Sequence, residues 1–347
     1  MAPYYGNRLV MSVAALTFVA LNVMTDCVSY TLAAREPSTS AIAEEAMKAR
    51  HKTWMMEHGR TYKDEAEKTQ RFKVFKANAD FIDSSNAAGK KYRLAINKFA
   101  DMSNDEFIAM YTGFEPMPSG GKKLSGFKYE NFTLSDIPQA VDWTKKGAVT
   151  QIKNQKQCGC CWAFSTVGAV EGIHQITTGQ LQSLSAQQLV DCTTNNYGCQ
   201  GGYMDKAFQY IIDNGGIATE EAYPYKATQG MCQSVQLSVK ISGYQDVPHD
   251  NEDALAMAVA NQPVSVGIDS KSTNFQFYRS GVMTGDSCGA EMSHAVTVVG
   301  YGSAQNGGQY WLLKNQWGEE WGERGYMRLE RGTGACGVAK MASYPVA

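Results

Sequence analysis

The rhythm of hydrophobic and polar positions changes several times along this chain, and each change marks a different kind of segment. Residues 9–24, LVMSVAALTFVALNVM, are apolar almost throughout, yet shorter than a comfortable membrane span. From about Thr39 to Ala88 the sequence is charged, helix-forming and free of proline. Within it Glu67, Arg71, Phe75, Asn78, Ile82 and Asn86 recur at steps of four, four, three, four and four, which predicts one stripe along a helix. On that reading Glu67 and Arg71 form an ion pair one turn apart. Pro- and Gly-containing sequence from Phe114 to Gly126 reads as a linker. After Cys161 the run FSTVGAVEGI is apolar on nearly every face, so it predicts a buried helix whose N-terminal end alone reaches a surface. Ala186 to Cys192 and Met204 to Asn214 are further helical segments. From Val247 onward short β-rich runs dominate: PVSVGID, HAVTVVGYG, YWLLKN and GYMRLER. A helical half against a β-barrel-like half is an α+β arrangement.

With 347 residues the chain exceeds one typical domain. Its net charge of −2 speaks against nucleic acid as a partner, which calls for a basic patch. The first eight residues carry one cation, Arg8, and no acid; with the apolar stretch and the small residues Ser29, Ala33 and Ala34 this fits a cleaved secretory signal. We place the signal at residues 1–29, with an end between 24 and 34; a transmembrane anchor is the alternative, and no later run would span a bilayer. Nine cysteines agree with an oxidising compartment. Cys27 falls in or beside the signal. Setting aside Cys160 and Cys161 leaves Cys158, Cys192, Cys199, Cys232, Cys288 and Cys336, whose pairing the spacing leaves open. A zinc site at CGCC is a rival reading, but it lacks a second close Cys or His pair.

The candidate chemistry begins at Cys161. A sulfur at a helix N-terminus feels the positive pole of the helix dipole, which favours the nucleophilic thiolate. Such a nucleophile needs a base and a group to orient that base. His294 opens the strand-like run HAVTVVGYG, and Asn315 follows the strand-like YWLLK.

Cys158-Gly159-Cys160-Cys161-Trp162, then Ser293-His294-Ala295, then Lys314-Asn315-Gln316-Trp317-Gly318 together resemble a papain-family cysteine protease, of the cathepsin L-like kind found in plants. The similarity runs from about residue 45 to the C-terminus. The stripe from Glu67 to Asn86 matches that family's propeptide signature at all six positions, and Asn97, Phe99 and Asp101 match its second propeptide motif. Ala95 stands there in place of the usual glycine, a departure that bears on the local backbone turn. The resemblance implies a two-lobe fold preceded by an inhibitory propeptide over residues 30–136, with a mature enzyme of residues 137–347. It also implies the pairs Cys158–Cys199, Cys192–Cys232 and Cys288–Cys336. No cofactor or metal is implied.

The roles carried over are specific. Cys161 attacks the scissile carbonyl, His294 forms an ion pair with it and protonates the leaving amine, and Asn315 orients the imidazole. Trp317 shields that hydrogen bond, and Gln155 donates to the oxyanion together with the Cys161 amide. Gly201 and Gly202 hold the extended substrate backbone. Tyr203, Met204, Gly267, Met292, Ala295 and Met341 line the pocket for the second residue on the acyl side of the cut, P2, and are apolar, so a preference for Leu, Val or Phe is expected. Three departures stand out: Lys156 in place of Gly, Cys160 beside the nucleophile with a vicinal disulfide as one possible state, and Gln316 in place of Ser, expected to matter little. His51, His58, His174 and His249 read as surface or propeptide residues. Asn131-Phe132-Thr133 is a glycosylation sequon. The expected product is a monomeric endopeptidase zymogen in the secretory pathway, extracellular or in a vacuole or lysosome, acting on proteins and peptides. Its own propeptide would inhibit it, cystatin-type inhibitors would be candidate partners, and acid would loosen the propeptide through Asp101 and Glu67. The alternative is a silent binding or storage protein on the same scaffold.

Overall fold

A computed structural model describes residues 39–114, 126–305 and 307–347. The proposed signal segment and most of the linker lie outside the described residues. Of the first 46 residues only 39–46 are described, as the start of helix α1 (Thr39–Glu57). The remainder forms one compact unit. Helix α2 (Glu65–Ala87) starts at Asp64, whose carboxylate accepts from the Glu67 amide, while Glu67 reaches back to the Lys63 amide. Strand β1 (Tyr92–Leu94) and helix α3 (Asn104–Tyr111), opened by a Ser103–Glu106 capping box, complete this region.

The stripe on α2 is real, but its charges point elsewhere than predicted. Arg71 turns to Glu106 at 2.7 Å and to the Asp101 carbonyl at 3.0 Å instead of pairing with Glu67, which its capping bond already occupies. Phe75 and Ile82 are buried, Asn78 donates to the carbonyls of Ala100 and Met102, and Asn86 brackets Leu94. Asp101 is 2% exposed and takes both Arg60 and the Tyr62 hydroxyl. His51 is buried among Trp54, Tyr62 and Phe75. The Ala95 amide donates to the Phe277 carbonyl, prolonging the pairing of β1, and its φ is not positive.

The second part contains β2 (Val141–Asp142), α4 (Cys161–Thr178), α5 (Ala186–Cys192), α6 (Met204–Asp213), β3 (Gly243–Asp246), α7 (Glu252–Asn261), β4 (Val264–Ile268) and α8 (Thr273–Gln276). It ends with β5 (Tyr278–Met283), β6 (His294–Ser303), β7 (Gln309–Lys314), β8 (Tyr326–Glu330) and β9 (Ala342–Val346). Among the described residues the strands form one sheet in the order β1-β5-β8-β7-β6-β4-β9-β3, with β2 also pairing β6. β1 therefore extends the sheet of the C-terminal half, pairing antiparallel with β5. Two apolar cores result. One packs the sheet and the aromatic side chains of the region from α1 to α3; the other packs α4, α5 and α6. Disulfides join Cys158–Cys199, Cys192–Cys232 and Cys288–Cys336. No helix among the described residues is long and apolar enough to cross a membrane.

Candidate active site

Helix α4 is buried from Cys161 to Ile173, so its N-terminal end, expected from the sequence to reach a surface, is itself fully covered. The Cys158–Cys199 bridge fixes the turn before it. Gly159 is required there, because an added Cβ would lie 2.7 Å from the Cys199 carbonyl. Cys161 is fully buried in the same apolar cluster as Ala295, the residue after His294 at the start of β6. His294 Nε2 meets Asn315 Oδ1 at 2.8 Å, and Trp317 packs over the imidazole with ring centres 4.6 Å apart. His294 Nδ1 is buried without a partner.

Gln155 is fully buried. Its Nε2 donates to the Cys158 carbonyl at 2.9 Å and reaches the Tyr111 carbonyl at 3.4 Å. Lys156 adopts a left-handed backbone, with φ of +53° and its amide donating to Asn154 Oδ1. That conformation is strained for a residue with a Cβ. Cys160 and Cys161 are both free thiols, so no vicinal disulfide is present. Cys160 is instead 3.0 Å from the Tyr225 hydroxyl, which donates to the Gln155 carbonyl. Cys158 is committed to a disulfide, and no group of three metal-ligating side chains occurs among the described residues.

The cleft is occupied by the chain itself. Phe114, read from sequence as the start of a linker, is only 3% exposed. The amides of Gly113 and Phe114 both donate to the Ser293 carbonyl, and the Gly202 amide donates to Gly113. Gly113 crosses so close to Gly159 that an added Cβ would run into its carbonyl. The Phe114 ring packs against most of the residues expected to line the P2 pocket: a Cβ on Gly267 would come within 2.7 Å of it, and Met204, Met292, Ala295 and Met341 share its apolar cluster. Gly201 passes beside Gly113, while Tyr203 is held by Asn196 with its ring under Lys206 Nζ at 4.2 Å, outside that cluster. Sequence reasoning missed Tyr111, Gly113, Phe114 and Tyr225. The only signal was an isolated Gly-Phe pair after a helical pattern.

This cover works against the helix dipole. Burial drives the Cys161 thiol up to about 12 and His294 down to about 4, the latter only partly offset by Asn315. Desolvation outweighs the dipole in the closed state. Burial thus favours the neutral form of both the thiol and the imidazole.

Residues 137–346 match the papain family cysteine protease domain, and residues 51–107 match the cathepsin propeptide inhibitor domain. The senescence-specific cysteine protease SAG39 of Oryza sativa subsp. japonica is 52% identical over 96% of this chain and 98% of its own length. The proform of the ragweed pollen cysteine protease Amb a 11 superposes with a TM-score of 0.81 at 43% identity, over 87% of this chain and 95% of that one. A recombinant stem bromelain precursor superposes at 0.80 with 44% identity, over 87% and 99%. The chain belongs to the papain family of cysteine proteases. It is a plant-type papain-like zymogen that carries its inhibitory propeptide in the same polypeptide.

Proposed function

We propose that Cys161 and His294 form the catalytic pair of this endopeptidase, with Asn315 as the group that orients the imidazole. The observation that carries this is the 2.8 Å His294–Asn315 bond beneath Trp317, with a free Nδ1 beside the start of α4. Once Gly113 and Phe114 leave, water and substrate replace them, and the low dielectric that kept both groups neutral is relieved. The proton then passes from sulfur to Nδ1, giving a thiolate and an imidazolium. The thiolate attacks the carbonyl carbon, the imidazolium protonates the leaving amine, and water releases the acyl group through the reverse sequence. Gln155, freed from Tyr111, turns its N–H toward the oxyanion beside the Cys161 amide. Gly201 and Gly202 bind the substrate backbone.

The P2 pocket prefers a bulky apolar side chain. The Phe114 ring seated against Gly267 and Met292 supports this. A P2 peptide library should be led by Leu, Val or Phe; leadership by Arg or Lys would overturn the assignment. Cys161→Ala should lower peptide cleavage by about 10⁴-fold or more with the fold intact. Retention of more than a few per cent of the activity would sink the mechanism and favour the silent-scaffold alternative.

We place the maturation boundary near Asp136/Ile137, where the papain-family match begins. Residues 1–29 would be a secretory signal, delivering the zymogen to the cell exterior, a vacuole or a lysosome. The Asn131 side chain is exposed, which suits glycosylation. A sugar there would sit on the propeptide side of the cut and be lost on maturation. The mature enzyme would act as a monomer on proteins and peptides, with cystatin-type proteins as candidate inhibitors.

A further inference from the structure

Gln316 enters the site in a way its sequence position did not foretell. It is 4% exposed, and its side-chain Nε2 lies 3.2 Å from His294 Nε2 and 2.8 Å from the Ala295 carbonyl. The Ala295 carbonyl can only accept, so it fixes which end of the Gln316 amide faces it: the NH₂ end. That same nitrogen is thereby held against the imidazole. On the other side, Asn315 Oδ1 accepts from the Gln316 backbone amide at 2.9 Å and meets His294 Nε2 at 2.8 Å. Its carbonyl end is therefore also fixed, and His294 Nε2 must carry a hydrogen to donate to it. A hydrogen-bearing Nε2 has no lone pair left for Gln316. The positive end of one amide dipole consequently rests against an N–H of the ring, while the negative end of another accepts from it. The two oppose each other whenever the ring becomes charged.

We infer that Gln316 is a positioning residue that sets the alkaline limit of the protease, by pressing its amide NH₂ against His294 and disfavouring the imidazolium. This rests on the role proposed above for His294. The surroundings leave Gln316 free to act. The charged and titratable groups on the neighbouring elements are Cys161 at the start of α4, Asp269 after β4, and Lys314 before Asn315. Tyr111 and Lys98 belong to the covering region. Lys314 is turned to Thr150 and Glu171, Asp269 accepts the Lys271 and Glu291 amides, and Lys98 caps the Trp317 carbonyl. Tyr111 and Lys98 depart with the propeptide. Cys161, Asn315 and Gln316 then remain as the polar neighbours of the ring.

The test is the pH dependence of kcat/KM for the acid-matured enzyme and its Gln316→Ser and Gln316→Leu variants. The alkylation rate of Cys161 by a neutral thiol reagent would be followed in parallel. Removing the dipole should raise the basic limb by about half a pH unit in both variants, roughly threefold more activity on the alkaline side relative to each enzyme's plateau. The thiol alkylation profile should move with it. Basic limbs that superimpose on the parent's, or move downward, overturn the inference even if KM or thermal stability changes, since a purely structural role leaves the limb in place. The Ser variant carries the test should the Leu variant fail to fold. A parent enzyme with neither cleavage nor alkylation at Cys161 overturns the dyad reading itself, and this inference with it.

Discussion

The region from α1 to α3 and the region from α4 to β9 are held together by different forces. The latter relies on three disulfides and on α4, buried over most of its length. The former carries no disulfide among its described residues and is tied by polar pairs: Arg60–Asp101, Arg71–Glu106, and the side-chain amides of Asn78, Asn86 and Asn97. Its aromatic residues pack against the second region around Trp317. Covalent links and apolar packing are indifferent to mild acid; charge pairs and buried histidines are not. The two regions should therefore respond differently to acid.

Four changes would break or sharpen this contrast. Phe114→Ala empties the pocket that Phe114 fills and should weaken cleft closure by about 3 kcal/mol. Labelling of Cys161 in the unprocessed chain should speed up by roughly a hundredfold at neutral pH; an unchanged rate would mean that Phe114 does not guard the thiol. Asp101→Asn breaks the link to Arg60 while leaving the disulfide-bonded region untouched. Because Arg60 is partly exposed, the expected loss is about 2 kcal/mol, read as processing that begins at higher pH.

The third is pH itself. Opening passes the Cys161 proton to His294 without net uptake, so the pair itself gives closure no pH dependence in this range and the acid response falls to the carboxylates. Arg71 holds the Glu106 carboxyl below its usual range, so that pair adds stability above the ordinary carboxylate pKa and loses it as pH falls through the lowered value. Processing that accelerated toward alkaline pH would contradict this. The smallest effect belongs to Lys156→Gly, which relieves a left-handed backbone at a cost-free site for glycine and should stabilise by about 1 kcal/mol. The mature enzyme should melt about 2–4 °C higher.

Much of this was legible in the sequence, for identifiable reasons. The apolar run after Cys161 and the β-branched runs around His294 and Asn315 impose their own periodicity, so α4, β6 and β7 fall where the pattern puts them. The propeptide stripe was readable as a helix face, but the partner of Arg71 was not, because Glu106 becomes a neighbour only through the tertiary fold. Phe114 escaped notice for the same reason: a single aromatic residue beside glycine carries no periodic signal. Gln316 looked harmless because its contact with His294 depends on a strand geometry that no local pattern encodes. The burial of the thiol in the closed state depends on residues brought in from α3 and its C-terminal flank, which the sequence around Cys161 does not encode.

The most direct test of the account is to treat the purified proform with a peptidyl epoxide before and after mild acid, then map the adduct by mass. The account predicts no modification at neutral pH and a single adduct on Cys161 after acid, appearing together with peptide cleavage. Rapid labelling of Cys161 in the neutral proform would contradict a covered, uncharged pair, and an adduct on Cys160 instead would contradict the assignment of the nucleophile.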